Sequence, residues 1–129
     1  MGAMKRLLLA ALATLATGAM TASAAEDEIG PRYFAVCTGR LSAQLSHDWL
    51  MQSDRAGATE RHREHLLEIL AAVSTPETET QLMSSRIDAK AAHAALLRRA
   101  TFGSDPDDRA WAARLAERQI HACTALLFG

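Results

Sequence analysis

The chain has 129 residues, 49% of them hydrophobic and only 5% aromatic, and it contains 2 cysteines. Its 14 Lys and Arg face 15 Asp and Glu, a balance that argues against a charge-driven nucleic-acid binder and against a polybasic membrane-surface protein. A charged fraction of 22% with regularly spaced apolar residues argues against disorder and leaves one alanine-rich domain.

The N-terminus reads as an export signal. Lys5 and Arg6 form a short positive region, residues 7–16 are almost wholly Leu, Ala and Thr, and Ala22, Ser23 and Ala24 supply the small residues that signal peptidase needs. The apolar run is too short to span a bilayer comfortably. Cleavage is expected after Ala24, with Ala25 as the second choice, and the competing reading is a retained anchor. Residues 1–24 are then a signal peptide and 25–129 a single helical domain. Cleavage removes 2 of the 14 basic residues and none of the 15 acidic ones, leaving a mature net charge of −3. No second apolar stretch approaches membrane-spanning length, so no span is expected after cleavage. The address this implies is the periplasm of a Gram-negative bacterium.

Two cysteines in an exported chain are most simply one disulfide, Cys37–Cys123. Cys-x-x-Cys and Cys-x-x-Cys-His are both absent from the sequence, so the pair reads as a staple, neither a redox centre nor a haem attachment.

Each of the 3 prolines opens a helical stretch. Helices are predicted over 31–53, 58–73, 76–102 and 106–128, with Thr75 and Asp105 as N-caps and Gly57 and Gly103 at the other joints. Nothing alternates like a strand. The class is all-α, and short joints imply an up-down-up-down four-helix bundle. Cys37 near the start of the first helix and Cys123 near the end of the last then fall at one end of the bundle, as a bridge requires. The apolar stripes are Phe34, Cys37, Leu41, Leu45 and Trp49 on the first helix and Leu66, Ile69, Leu70 and Val73 on the second. Met83, Ile87, Ala94 and Leu97 mark the third, and Ala112, Leu115, Ala116, Ile120, Cys123 and Leu127 the fourth.

Three polar residues fall on these inner faces: Asp48, His62 and Lys90. As a set they form a small ligand pocket between helices; as individuals, Lys90 snorkels outward and Asp48 sits on a flank. An unpaired charge there is expensive, so Asp48 and Lys90 must pair or reach solvent. His62 and His65, at i,i+3, are the candidates for a metal, which would need further ligands; a solvated helix face is the plainer account. The Glu-x-x-His of di-iron bundles and the His-Glu-x-x-His of zinc proteases are both absent. Ser42, Ser46 and His47 lie close together on a regular helix, without the strained turn or oxyanion hole of a nucleophile site. Glu60, Glu64 and Glu68, interleaved with Arg61 and Arg63, read as an exposed ion-pair face.

Residues 86–97 (RIDAKAAHAALL), residues 37–41 (CTGRL) and Cys123 together resemble small exported helical proteins of alphaproteobacteria. That resemblance implies location and carries no activity. The Leu-Thr-x-x-Gln repeats of periplasmic stress chaperones and the haem motif of four-helix cytochromes are not present. The expectation is therefore a non-enzymatic exported protein without a cofactor. Its role is structural or one of protein interaction in the envelope, with a small-ligand or metal-binding role as the alternative.

Overall fold

The computed structural model describes residues 29–128. The expected signal peptide and its expected cleavage after Ala24 or Ala25 lie outside the described residues. Four helices follow one another: α1 (Pro31–Leu50), α2 (Ala56–Val73), α3 (Glu79–Phe102) and α4 (Pro106–Phe128), with no strand among the described residues. None of the described helices is long and apolar enough to cross a membrane.

Local chemistry explains most of the ends. Pro31 and Pro106 stand at first helical positions, where a missing N–H costs nothing. Asp105 caps α4, its Oδ1 accepting the Asp107 N–H at 3.2 Å, and Asp107 and Asp108 place negative charge in the first turn. Three boundaries differ from the sequence expectation. The first helix stops at Leu50, not at residue 53, in a Schellman turn. There the Ser53 N–H donates to the Asp48 carbonyl at 2.8 Å and the Gln52 N–H to the Trp49 carbonyl at 3.1 Å. Gln52 takes φ 53° to make that turn, a left-handed position usually given to glycine. In the third helix, Pro76 lies in a preceding turn, and the Thr75 carbonyl accepts the Thr78 and Glu79 N–H groups at 3.0 Å each. Thr78, not Thr75, is the N-cap residue. The second helix begins at Ala56, which puts Gly57 inside its first turn and out of the joint.

Contacts fix the direction of each helix. Along α2, Thr59 meets Asp48, Arg63 meets Ser42, and Leu66 meets Leu41, so α2 runs antiparallel to α1. Along α3, Gly39 faces Arg86 and Lys90, Gln44 meets His93, and His47 meets Thr101, so α3 runs parallel to α1. His93 to Gln119 and Arg99 to Asp108 make α4 antiparallel to α3. The closest pair is α1 with α3, followed by α1 with α2 and α3 with α4; α2 has no comparable pairing with α3 or α4. A square bundle would put α1 and α3 on a diagonal. Here the diagonal is the tightest contact.

Gly39 is the cause. A Cβ at this position would run into the Arg86 carbonyl oxygen and press on the Lys90 N–H and the Ala89 methyl, so the α1 backbone lies directly on α3. With α2, α3 and α4 all against it, α1 is buried on most of its circumference, including its polar residues Thr38, Ser42, Gln44 and Asp48. Thr38 and Ser42 satisfy their hydroxyls on carbonyls one turn back, at 2.7 and 2.8 Å.

Three apolar groups complete the core. Ala35, Leu70 and Leu82 join the starts of α1 and α3 to the end of α2; Leu96, Leu97, Ala112 and Ala116 join α3 to α4. Cys37, Leu41, Leu66 and Cys123 form the third, where Cys37 and Cys123 are disulfide-bonded with Cα atoms 5.4 Å apart. The bridge spans 86 positions of sequence, which in the chain-entropy account contributes about 4.6 kcal/mol. Beyond it, Phe128 reaches His62 and His65 on α2, so α4 begins against α3 and crosses α1 to end beside α2.

The expected apolar face of the third helix is displaced. Leu97 is buried as expected and Ala94 is half-buried, but Met83 and Ile87 are exposed and Leu82, His93 and Leu96 are buried in their place. Trp49, expected in the stripe of α1, is exposed as well.

Two substitutions test these backbone features by thermal or denaturant unfolding. Gly39→Ala should lower stability by about 2–3 kcal/mol through overpacking, although the same change in an exposed helix would raise it by about 1 kcal/mol. Gln52→Gly should raise stability by about 1 kcal/mol by relieving the left-handed position.

Candidate functional site

Because α4 leaves α3 to cross α1 and α2 pairs along its length with neither α3 nor α4, a cleft of about 1020 Å³ opens over the C-terminal half of α1. Its floor is polar and comes from Gln44 and Asp48 of α1 and Thr59 of α2. Its walls are mostly apolar, with Leu97 and Ala100 from α3 and Ala113, Ala116 and Ile120 from α4. Around the rim stand His47, Arg55, His62, Glu117, Arg118 and His121.

The floor belongs to a chain of hydrogen bonds through all four helices. Thr59 Oγ1 donates to Asp48 Oδ2 at 2.7 Å, and Gln44 Nε2 donates to Asp48 Oδ1 at 2.9 Å. Gln44 Oε1 then faces His93 Nε2 at 3.1 Å, and His93 Nδ1 lies 3.2 Å from Gln119 Oε1. Asp48 is 1% exposed and His93 wholly buried, so these partners replace water that the groups have lost. No buried side-chain nitrogen or oxygen among the described residues lacks a partner.

The chain sets the histidine's chemistry. Since Gln44 spends its NH2 on the carboxylate, its oxygen can only accept, and His93 Nε2 carries the hydrogen. In the neutral ring Nδ1 is an acceptor, which takes the Gln119 amide by its NH2 group; in the charged ring Nδ1 donates to the Gln119 oxygen. Burial holds the His93 pKa below its ordinary 6.5, the Gln119 hydrogen bond pulls the other way, and Arg40 and His47 add to the lowering. His62 is lowered too, first by burial and then by Arg61.

Asp48 and His62, two of the three residues read from sequence as a pocket, line this one cleft. Lys90 does not. It is exposed on α3 and absent from the cleft lining, so of the two alternatives Lys90 reaches solvent, while Asp48 is met by Thr59, Gln44 and the more distant Arg55, whose Nη2 is 4.0 Å from Asp48 Oδ1. The cause is the displaced face of α3: Lys90 turns out where His93 turns in. The candidate metal pair has other company. His62 stacks on Phe128 with ring centres 4.2 Å apart, while His65 meets the edge of that ring at 5.4 Å and lies 3.7 Å from Glu68. Among the described residues no three His, Cys, Asp or Glu side chains are gathered to hold a metal ion.

Gln44, Thr59, His93 and Gln119 were not singled out by the sequence. The first sits beside Leu45 on a helix whose apolar stripe alone marks an inner face, and nothing local tells that α1 is enclosed on its other sides. No family model, curated protein or solved structure matches this chain.

The lowered histidines have a signed consequence. A group whose pKa falls on folding binds its proton more readily in the unfolded chain, so its contribution is complete above 6.5 and is lost as pH falls through the lower folded value. Melting temperature should therefore drop from about pH 7.5 to about pH 5.5, and His93→Gln should flatten that dependence. An unchanged slope in the variant would remove His93 as its source.

Proposed function

We propose that this is an exported, non-enzymatic helical protein of the Gram-negative envelope whose role is to bind a small ligand in the cleft between α2 and α4. The observation that carries the reading is the construction of the cleft: apolar walls over a polar floor whose groups are fixed by bonds to one another. Such a combination of apolar surface with a few placed polar groups is how small-molecule sites are built. Its floor is held by four helices at once, so it is preorganised and little ordering cost attends binding. A floor already engaged in structural hydrogen bonds favours binding over turnover. Export accords with the buried disulfide, since such bridges persist outside the reducing cell interior.

A second reading, protein interaction, is favoured by a separate observation. Trp49, Leu50 and Met51 at the end of α1 and Phe102 at the end of the parallel α3 are all exposed, Leu50 to 67% and Phe102 to 66%. Trp111 near the start of α4 is exposed as well, beneath the Arg99 guanidinium 5.0 Å from its ring centre. Large apolar side chains gathered at one end are typical of a surface that meets a partner.

Mass spectrometry of the protein isolated from its native envelope tests both parts. The expected mass is that of a chain beginning at Ala25 with both cysteines oxidised, and denaturation should release a stoichiometric small molecule. A retained leader would overturn the exported form. A stoichiometric protein partner seated on the apolar end, with the cleft empty, would favour the second reading.

A further inference from the structure

Asp48 is the deepest charge in the cleft. Its side chain is 2% exposed and its two bonded donors, Thr59 and Gln44, are both neutral. The nearest cation is Arg55, 4.0 Å away on a side chain 65% exposed, so its charge is largely spent in water. Neutral donors satisfy hydrogen bonding without cancelling the charge, and each carboxylate oxygen retains capacity for another donor. Beneath mostly apolar walls, the floor of the cleft therefore holds a negative charge with no buried counter-ion.

That asymmetry selects among ligands. An anion entering the cleft meets the carboxylate at short range, where displaced water no longer screens it. A neutral ligand gains only the contact with the walls. A cation gains that contact and a charge-assisted hydrogen bond as well. We propose that the cleft takes a small organic cation, a protonated amine on an apolar body, with Asp48 as its counter-ion and the Arg55 guanidinium as the group it displaces. This rests on the ligand-binding reading above and gives it a chemical class. The body lies against Leu97, Ala100 and Ile120, and the ammonium lies beside Asp48 and Thr59. The remaining charged and titratable groups of the cleft are His47 on α1, His62 on α2, and Glu117, Arg118 and His121 on α4; α3 contributes none. Burial holds the His62 pKa low, so its ring stays neutral and does not oppose a cation until the pH falls through that lowered value, where affinity declines.

The test uses n-octylammonium, n-octanol and n-octanoate, which share one tail and differ in charge, titrated into the isotope-labelled oxidised protein at about pH 7.5 with amide shifts as the readout. Octylammonium is expected to bind about tenfold more tightly than the other two, with shifts at Thr59, Thr101 and Ala116. Asp48→Asn should erase that preference, so that octylammonium and octanol bind alike. Arg55→Gln should move the other way, strengthening octylammonium several-fold by removing its competitor, and it decides the matter should Asp48→Asn fail to fold. Octanoate binding as tightly as the amine, or an amine affinity indifferent to both substitutions, would overturn the counter-ion assignment and leave the cleft as a general apolar site. If none of the three probes shifts the cleft amides, the ligand-binding reading falls with it.

Discussion

The approach of α1 to α3 at Gly39 is the constraint from which the rest of the molecule follows. Four helices around a square share contacts among neighbours; shortening one diagonal encloses the two helices on it and spreads the other two. Here α1 becomes the enclosed helix, and α2 and α4 are held apart along their length until Phe128 reaches α2. The enclosure forces the polar residues of α1 to find partners inside, and the spreading creates the space above them. Core and cleft are thus two results of one missing Cβ.

The chain of hydrogen bonds that answers this enclosure is also what fixes the relative placement of the helices. Apolar contacts between alanine-rich surfaces tolerate sliding, because small side chains leave shallow ridges. A carboxylate held between Thr59 and Gln44, and an imidazole held between Gln44 and Gln119, accept only one register. Removing a single member would strand its buried partners at a cost of about 1–3 kcal/mol, so the network acts as a unit.

Much of this architecture is written locally. Proline at first helical positions, Asp105 with its two following acids, and the i,i+4 apolar spacing of α4 place α4 to its residues. The pairing of Cys37 with Cys123 follows from helix order and number, and the structure bridges them. The third helix is different. Its apolar residues are spread so evenly around its axis that no face dominates, and Met83 and Ile87 compete with Leu82 and Leu96 for the interior. Tertiary contact with Gly39 settles the contest, and with it the exchange of Lys90 for His93. The same limit hid the site: a reader of periodicity looks for polar residues interrupting an apolar stripe, which finds Asp48, but Gln44 and Thr59 become interior, and Gln119 half-buried, only because other helices cover them. The end of α1 was missed for a third reason. Its Schellman turn is built on glutamine, so the glycine that ordinarily announces such a stop is not there.

The disulfide sits where it matters most to the shape of the cleft. Direct contact between α1 and α4 is slight, and Cys37–Cys123 lies at their crossing, just past the Ile120 that forms part of the apolar wall. The bond therefore does more than restrict the unfolded chain: it pins the second half of α4 over α1 and defines one side of the opening. Closing this bond is in this sense also closing one wall of the cleft, and a chain still carrying two thiols lacks that tie between α1 and α4.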